Sequence, residues 1–320
     1  MKRILITLLF SGIGLTALFF GVSCSNQAPN SAFIAPAQTV AFNNPAWTPT
    51  PTFTFTPTFT ITPTPIPYPI SGFNAPYALA IDSKNNVYVG DTGNNLIKQY
   101  VNGVYNTSWP PKTKNGLAYT SPKAIAVDSS GNLYVVGNGN VVSKYDSNGD
   151  IPALQYTSLI SAPLGLAVNN TTAALYVSDS SPNQIVSISL SSGTSSIFKA
   201  SLSFVPYGLA VDSLGNVYVA GSDNNIHIYG SSGGTPSFSS PTFIPGFNAP
   251  YAVAFDANND LYVSDTQNGQ IEEFAVGNYS SSPVNILGKG TLVNPEGIAL
   301  DSLENVYTVD SGNSELFQFP

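Results

Sequence analysis

Side chains that could do chemistry are scarce in this sequence. His227 is the one histidine and Cys24 the one cysteine. One imidazole cannot assemble a multi-histidine zinc set, and one cysteine cannot form an internal disulfide. No serine lies in a G-x-S-x-G setting with a free histidine to activate it. Carboxylates are the remaining source of chemistry. Asp91, Asp179, Asp265 and Asp310 stand beside turn sequences such as Asp91-Thr92-Gly93-Asn94 and Asp310-Ser311-Gly312-Asn313. Such runs partly match calcium loops, but the full ligand spacing is missing. Turn capping is the expected role of these four. No catalytic or metal-ligating residue and no cofactor is assigned, although the carboxylates leave room for a divalent cation.

The elements that would position these groups are legible from a repeat. A pattern of small–aliphatic–Ala–aliphatic–Asp, a short linker, then aliphatic–Tyr–Val occurs six times, with small departures: ALAID…NVYV from Ala78, AIAVD…NLYV from Ala124, GLAVN…ALYV from Gly165, GLAVD…NVYV from Gly208, AVAFD…DLYV from Ala252 and GIALD…NVYT from Gly297. The fifth position falls at Asp82, Asp128, Asn169, Asp212, Asp256 and Asp301, in steps of 46, 41, 43, 44 and 45 residues. Periods of this length built from strands indicate propeller blades.

In the first copy, Ala78–Asp82 and Val87–Val89 flank Ser83-Lys84-Asn85-Asn86 and predict a β-hairpin. A second turn follows, then a third strand over Leu96–Tyr100, and a fourth run precedes the next copy. Four antiparallel strands make one blade. The recurring Ala80, Ala126, Ala167, Ala210, Ala254 and Ala299 are expected where inner strands converge on the axis. Tyr88, Tyr134, Tyr176, Tyr218, Tyr262 and Tyr307 are expected to pack between blades. The aspartates ending the first strands are expected to accept backbone N–H bonds in the turn. His227 falls in the third strand of the fourth blade and is expected to be an ordinary packing or surface residue.

The strings PYALAIDSKNNVYVGDTGNNLIKQY (Pro76–Tyr100) and PYGLAVDSLGNVYVAGSDNNIHIY (Pro206–Tyr229) resemble the NHL-repeat propellers. The resemblance covers roughly Ile70 to Pro320. It implies an all-β, six-bladed β-propeller of four-stranded antiparallel blades. On activity it implies little, because that family mixes enzymes, adaptors and ligand binders. Six-bladed relatives include lyases and lactonase-like hydrolases whose sites use histidines or gathered carboxylates at the channel.

Each first strand is preceded by a proline: Pro76, Pro122, Pro163, Pro206, Pro250 and Pro295. The next residue differs from blade to blade: Tyr77, Lys123, Leu164, Tyr207, Tyr251 and Glu296. These six are expected to ring the channel mouth. A variable position on a fixed scaffold is what a ligand-facing position would show, and an unconstrained surface position would show it too. Three tyrosines with a lysine and a glutamate could stack on a sugar or peptide and add polar contacts.

The last copy stops after a third strand, at Glu315–Phe319. The missing outer strand has a candidate near Ile66–Gly72, because Ile66–Tyr77 parallels Thr242–Tyr251, where the first residues form an outer strand. The ring is therefore expected to close with an N-terminal outer strand, which hides an open edge.

Before the propeller, Met1-Lys2-Arg3 and the apolar run Ile4–Val22 form a signal-like segment. Cys24 sits where bacterial lipoprotein signals place the lipidated residue, although Gly21 departs from the usual aliphatic residue. An uncleaved anchor or an ordinary cleaved signal are the alternatives. The chain then becomes Pro/Thr-rich, as in Thr62-Pro63-Thr64-Pro65. About twenty such residues at roughly 3.1 Å each span on the order of 60 Å. Phe53, Phe55 and Phe59 alternate with Thr and leave open a docked strand instead of a stalk. The expected organisation is a signal peptide over 1–23, a disordered Pro/Thr-rich linker over 24–64 and a propeller over 65–320.

Without Lys2 and Arg3 the chain holds eight lysines, no arginine and 18 acids, about −10 in net charge. That balance argues against nucleic-acid binding, which relies on basic side chains. The sequence thus points to an exported, monomeric, membrane-anchored module at a bacterial cell envelope that binds a protein, peptide or glycan. A metal-dependent lyase or lactonase-like hydrolase using the channel is the alternative.

Overall fold

The computed structural model describes residues 8–11, 14–17, 68–110, 116–137, 139–149, 155–156, 158–234, 243–279 and 282–320. The chain divides into two units, Met1–Ile61 and Thr62–Pro320. In the first, Leu8–Ser11 pairs antiparallel with Gly14–Ala17. Cys24, the Pro/Thr-rich linker and most of the apolar leader lie outside the described residues.

The second unit is a six-bladed β-propeller. Blades two to five each hold four antiparallel strands in meander order. Blade four, for example, runs Pro206–Val211, Val217–Gly221, Asn225–Tyr229 and Phe243–Pro245. Blade one shares its outer position between two short strands, Val104–Tyr105 and Leu117–Ala118, which both pair with Leu96–Val101. Blade six has three strands, Pro295–Leu300, Val306–Asp310 and Glu315–Phe319.

The ring closes where the repeat pattern placed the seam, by a smaller contact than a full strand. Ile70 N donates to Leu316 O at 2.9 Å, and Leu316 N donates back to Ile70 O at 2.8 Å. This is an isolated bridge. Tyr68 adds an edge-on contact with Tyr307, with ring centroids 5.8 Å apart.

The core is not one mass but six buried clusters among the described residues, one at each seam between consecutive blades. Tyr88 packs with Ile125, Leu133 and Val135 of blade two. Tyr134 packs with blade three, Tyr176 with blade four, Tyr218 with blade five and Tyr262 with blade six. Tyr307 returns to blade one, against Leu79, Val87 and Val89. The repeated tyrosine is therefore the inter-blade wedge, as expected.

The first-strand aspartates organise the hairpin turns. Asp82 Oδ1 accepts from Lys84 N and Asn86 N, both at 2.9 Å, while Oδ2 accepts from Asn86 Nδ2 at 2.8 Å and Tyr88 Oη at 3.1 Å. Asp128, Asp212 and Asp301 repeat the two backbone bonds and the Asn bond. One residue thus ties strand, turn and seam together.

The recurring alanines play a different part from the one expected. Ala80, Ala126, Ala167, Ala210, Ala254 and Ala299 sit directly opposite the tyrosines in the ladder. Cross-strand partners share a face, so a small residue leaves room for each ring. Crowding at the axis falls instead on the first position of the repeat pattern. A side chain on Gly165 would collide with the Tyr207 carbonyl. On Gly208 a Cβ would lie 2.7 Å from Tyr251 O, and on Gly297 2.7 Å from Tyr77 O. At these three positions the backbones of neighbouring inner strands approach too closely for any side chain.

Candidate functional site at the channel mouth

The segments leading into the inner strands are held rigidly by the buried aspartates that end the second strands. Asp91, Asp179, Asp265 and Asp310 are fully buried. Asp91 Oδ1 accepts from Asn74 N, and Asp265 Oδ1 from Asn248 N, both at 2.7 Å. Asp179 accepts from Ser161 N and Ala162 N at 3.0 and 2.6 Å. Asp310 accepts from Val293 N and Asn294 N at 2.7 and 2.9 Å. Three of them also hold an asparagine of the adjoining turn, Asn94, Asn268 or Asn313. They therefore cap the turns, and in blades one, three, five and six they also hold the backbone one or two residues before the proline. Blades two and four carry Gly137 and Gly221 there, where a Cβ would strike Thr120 O and Asp223 Oδ1. Among the described residues no three His, Cys, Asp or Glu side chains gather as a metal site.

Four of the six ring residues, Tyr77, Lys123, Leu164 and Tyr251, line one cavity on the propeller axis together with the first residues of the inner strands. Its volume is about 60 Å³. Tyr207 joins through its ring, stacked on Tyr251 with centroids 5.6 Å apart and planes 20° off parallel. Tyr77 meets Tyr251 from the other side, edge-on at 5.8 Å. Tyr251 is thus flanked by two rings, and the three tyrosines fill much of the mouth. The position is half-buried in five blades and buried in the sixth. The space inside suits a small head group and not a sugar ring.

Glu296 is the outlier of the set. It is 6% exposed. Its backbone carbonyl accepts from Ser264 Oγ at 2.8 Å, and its Oε1 accepts from Ser311 Oγ at 3.1 Å. Its Oε2 is buried with no hydrogen-bond partner. Burial pushes the carboxyl up to about 7; Ser311 pulls it back and Asp310 adds to the rise. Tyr251 is pushed well above the usual phenol value by burial first, then by the charge of Glu296 and the neighbouring Tyr77 and Tyr207. Tyr77 is raised by burial and by Glu296. Glu296 itself is not among the residues that line the cavity.

Sequence reasoning missed the residues that pin the ring from behind. Ser178 Oγ donates to Tyr207 O at 2.5 Å, and Ser264 Oγ to Glu296 O. Thr92 and Thr266 hydroxyls each donate to a proline carbonyl of the next blade, Pro122 and Pro295, at 2.6 Å. The column holding Ser178 and Ser264 reads Gly, Val, Ser, Ala, Ser, Val around the ring, so no repeated signal marked it.

His227 stands apart from the channel. Its ring stacks on Phe204 at 3.7 Å with planes 9° apart, and its Nε2 lies 3.0 Å from Asp223 Oδ2. A wider depression of about 410 Å³ lies over blades one and two, lined by Tyr119, Ser143 and Tyr145 among others. No charged side chain is among its described lining residues, so the channel mouth remains the chemically richer site.

Comparison with known proteins agrees on the architecture. A family described as "Beta-propeller repeat" matches residues 115–142, from the outer edge of blade one into blade two, and residues 203–226, which lead into and through most of blade four. No curated protein matches the chain. Among solved structures, a chain of a nidogen/laminin complex aligns at 16% identity and TM-score 0.56, over 69% of this chain and 83% of that one. A catalytically inactive virginiamycin B lyase from Staphylococcus aureus, with quinupristin, aligns at 18% identity and TM-score 0.54, over 76% and 79%. A protein of unknown function from Bacteroides thetaiotaomicron aligns at 14% identity and TM-score 0.59, over 77% and 69%. At these identities the likeness is one of fold.

Proposed function

We propose that this chain is an exported, envelope-anchored propeller that binds a protein, peptide or glycan partner at the channel mouth. One observation carries the reading: of the six residues at the position that varies among otherwise matched repeats, Tyr77, Lys123, Leu164 and Tyr251 line one axial cavity, and Tyr207 stacks on Tyr251. Matched scaffold residues with divergent side chains at their meeting point are how a repeat protein acquires one specific site. One of the similar folds comes from a nidogen/laminin complex, which makes a binding role familiar for the architecture. The tight cavity narrows the mode of binding. A partner would lay its bulk across the tyrosines and insert only a small group.

The apolar leader and Cys24 support export and lipid anchoring, and the Pro/Thr-rich segment supports a spacer. Mass spectrometry of the mature N-terminus tests the anchor: an acylated Cys24 is expected, and an unmodified chain starting elsewhere would remove it. The binding claim is tested by screening peptides and glycans against the full chain and against Tyr77→Ala/Tyr207→Ala/Tyr251→Ala in parallel. Every saturable ligand of the parent is expected to lose at least about tenfold in affinity, equivalent to about 1.4 kcal/mol. Undiminished binding to the triple variant would refute the assignment.

A further inference from the structure

The depression over blades one and two opens where the repeat places its smallest side chain. The third-strand residues paired with the position after the repeated tyrosine are Lys98, Ser143, Val186, His227, Glu272 and Phe317. In blade four, Phe204 stacks on His227 at 3.7 Å, and Phe243, its partner in the outer ladder, lies 6.3 Å from it. In blade one, Lys98 Nζ lies over the Phe73 ring, 4.8 Å from its centroid. In blade two the segment before Pro122 supplies Tyr119, and the outer partner of Ser143 is Gln155. A serine and a glutamine thus stand where blade four has a histidine and a phenylalanine, and a space of about 410 Å³ lies over them.

The walls of this groove are fixed in advance. Asn95 O accepts from Tyr119 N at 3.0 Å, and Asn95 Oδ1 accepts from Ser121 N at 2.8 Å. The Tyr119 hydroxyl donates to Val135 O at 3.2 Å and lies 3.4 Å from Ser143 Oγ. Its ring meets Tyr145 edge-on at 6.3 Å, and among the described residues no ring stacks on it. Ser143 and Tyr145 alternate along one strand and Gln155 faces Ser143 across the ladder, so the three share a face. Thr120 and Gln155 are exposed.

This lining defines a ligand chemistry. Amides and hydroxyls both donate and accept, aromatic rings offer flat apolar surface, and no charged side chain is among the described lining residues. The match is a ligand that carries no charge and is rich in hydroxyls. The volume falls in the range of ligand sites, roughly 300–1,000 Å³, so whole sugar rings enter here that the axial cavity refuses. Thr120 on the groove wall is three residues from Lys123 on the cavity wall, no more than about 11 Å along the chain. Resting on the binding role proposed above, we infer that the ligand is a neutral oligosaccharide running from the tyrosines of the mouth, past Thr120, into the groove between blades one and two. Tyr119 offers it a ring, and Asn95, Ser143 and Gln155 offer it polar contacts.

The test is calorimetric titration of the full chain with the neutral hexasaccharides maltohexaose, cellohexaose and xylohexaose. A terminally blocked serine–alanine hexapeptide and the acidic sugar hexagalacturonate are titrated beside them. At least one neutral hexasaccharide is expected to bind saturably, with peptide and hexagalacturonate at least about tenfold weaker. Gln155→Ala removes an exposed amide from the wall, and Ser143→His restores the side chain that blade four carries. Each is expected to weaken the sugar at least about tenfold. Because Gln155 is exposed, its variant reports on binding without disturbing the core. No saturable binding by any of the three sugars, tighter binding of the peptide or of hexagalacturonate, or unchanged binding to both variants would overturn the inference. A sugar weakened by Tyr77→Ala/Tyr207→Ala/Tyr251→Ala but indifferent to both groove variants would leave the mouth as the site and remove the groove. A sugar lost from the groove variants but undiminished in the triple variant would refute the mouth, and with it the continuous path.

Discussion

Glu296→Gln is expected to make the propeller more stable above about pH 7, by about 3 kcal/mol. The carboxyl sits at about 7 in the folded protein against an ordinary value of 4.5, and burial is the main cause. Each unit of that difference corresponds to about 1.4 kcal/mol. The folded state therefore holds a proton that the unfolded chain releases between pH 4.5 and about 7. Stability associated with this group is fully present below pH 4.5 and is lost as pH rises through about 7. Glutamine keeps an acceptor for Ser311 and carries no charge, so it removes both the penalty and its pH dependence. Urea unfolding of parent and variant at about pH 5 and about pH 8.5 measures this. A variant less stable than the parent at the higher pH would mean that Oε2 has a stabilising partner.

Removing residues 65–72 is expected to lower the melting temperature by about 10 °C. The segment supplies the two bridge hydrogen bonds between Ile70 and Leu316. It also contributes Tyr68 and Ile70, which pack on the seam cluster of Tyr307, Val309 and Leu316. Losing two partly buried hydrophobic side chains and two hydrogen bonds corresponds to roughly 3–4 kcal/mol. It would also bare the edge of Glu315–Phe319, the outermost strand of a three-stranded blade, and so favour self-association. Thermal unfolding followed by circular dichroism, with light scattering for aggregation, measures both effects. An unchanged melting curve would show that blade six is stable without an N-terminal contact.

The fold was largely legible because each seam reuses the same residues. The tyrosine wedge and the aspartate of the hairpin turn are local devices, so their roles can be inferred from one copy and tested on five more. The alanines were misplaced because a one-residue repeat cannot tell whether small size serves the axis or the facing ring. That distinction depends on strand register, and the ladder resolved it by setting Ala80 opposite Tyr88. The ring of six was found by its variability, but its burial was not. Whether a tyrosine points into solvent or onto another tyrosine depends on how closely six strands converge, and that is set by Gly165, Gly208 and Gly297. The orphaned oxygen of Glu296 could not be seen in the sequence at all, because it is defined by what fails to reach it.

The measurement closest to the central claim is hydrogen–deuterium exchange of the full chain with and without a ligand recovered by the screen. Slowed exchange is expected in the segments leading into the inner strands, around residues 74–79, 121–125, 161–166, 204–209, 248–253 and 293–298. Bound ligand orders the groups it touches. Protection confined instead to the turns after Asp82, Asp128, Asp212 and Asp301, or to the outer strands, would place the binding site elsewhere and contradict the account.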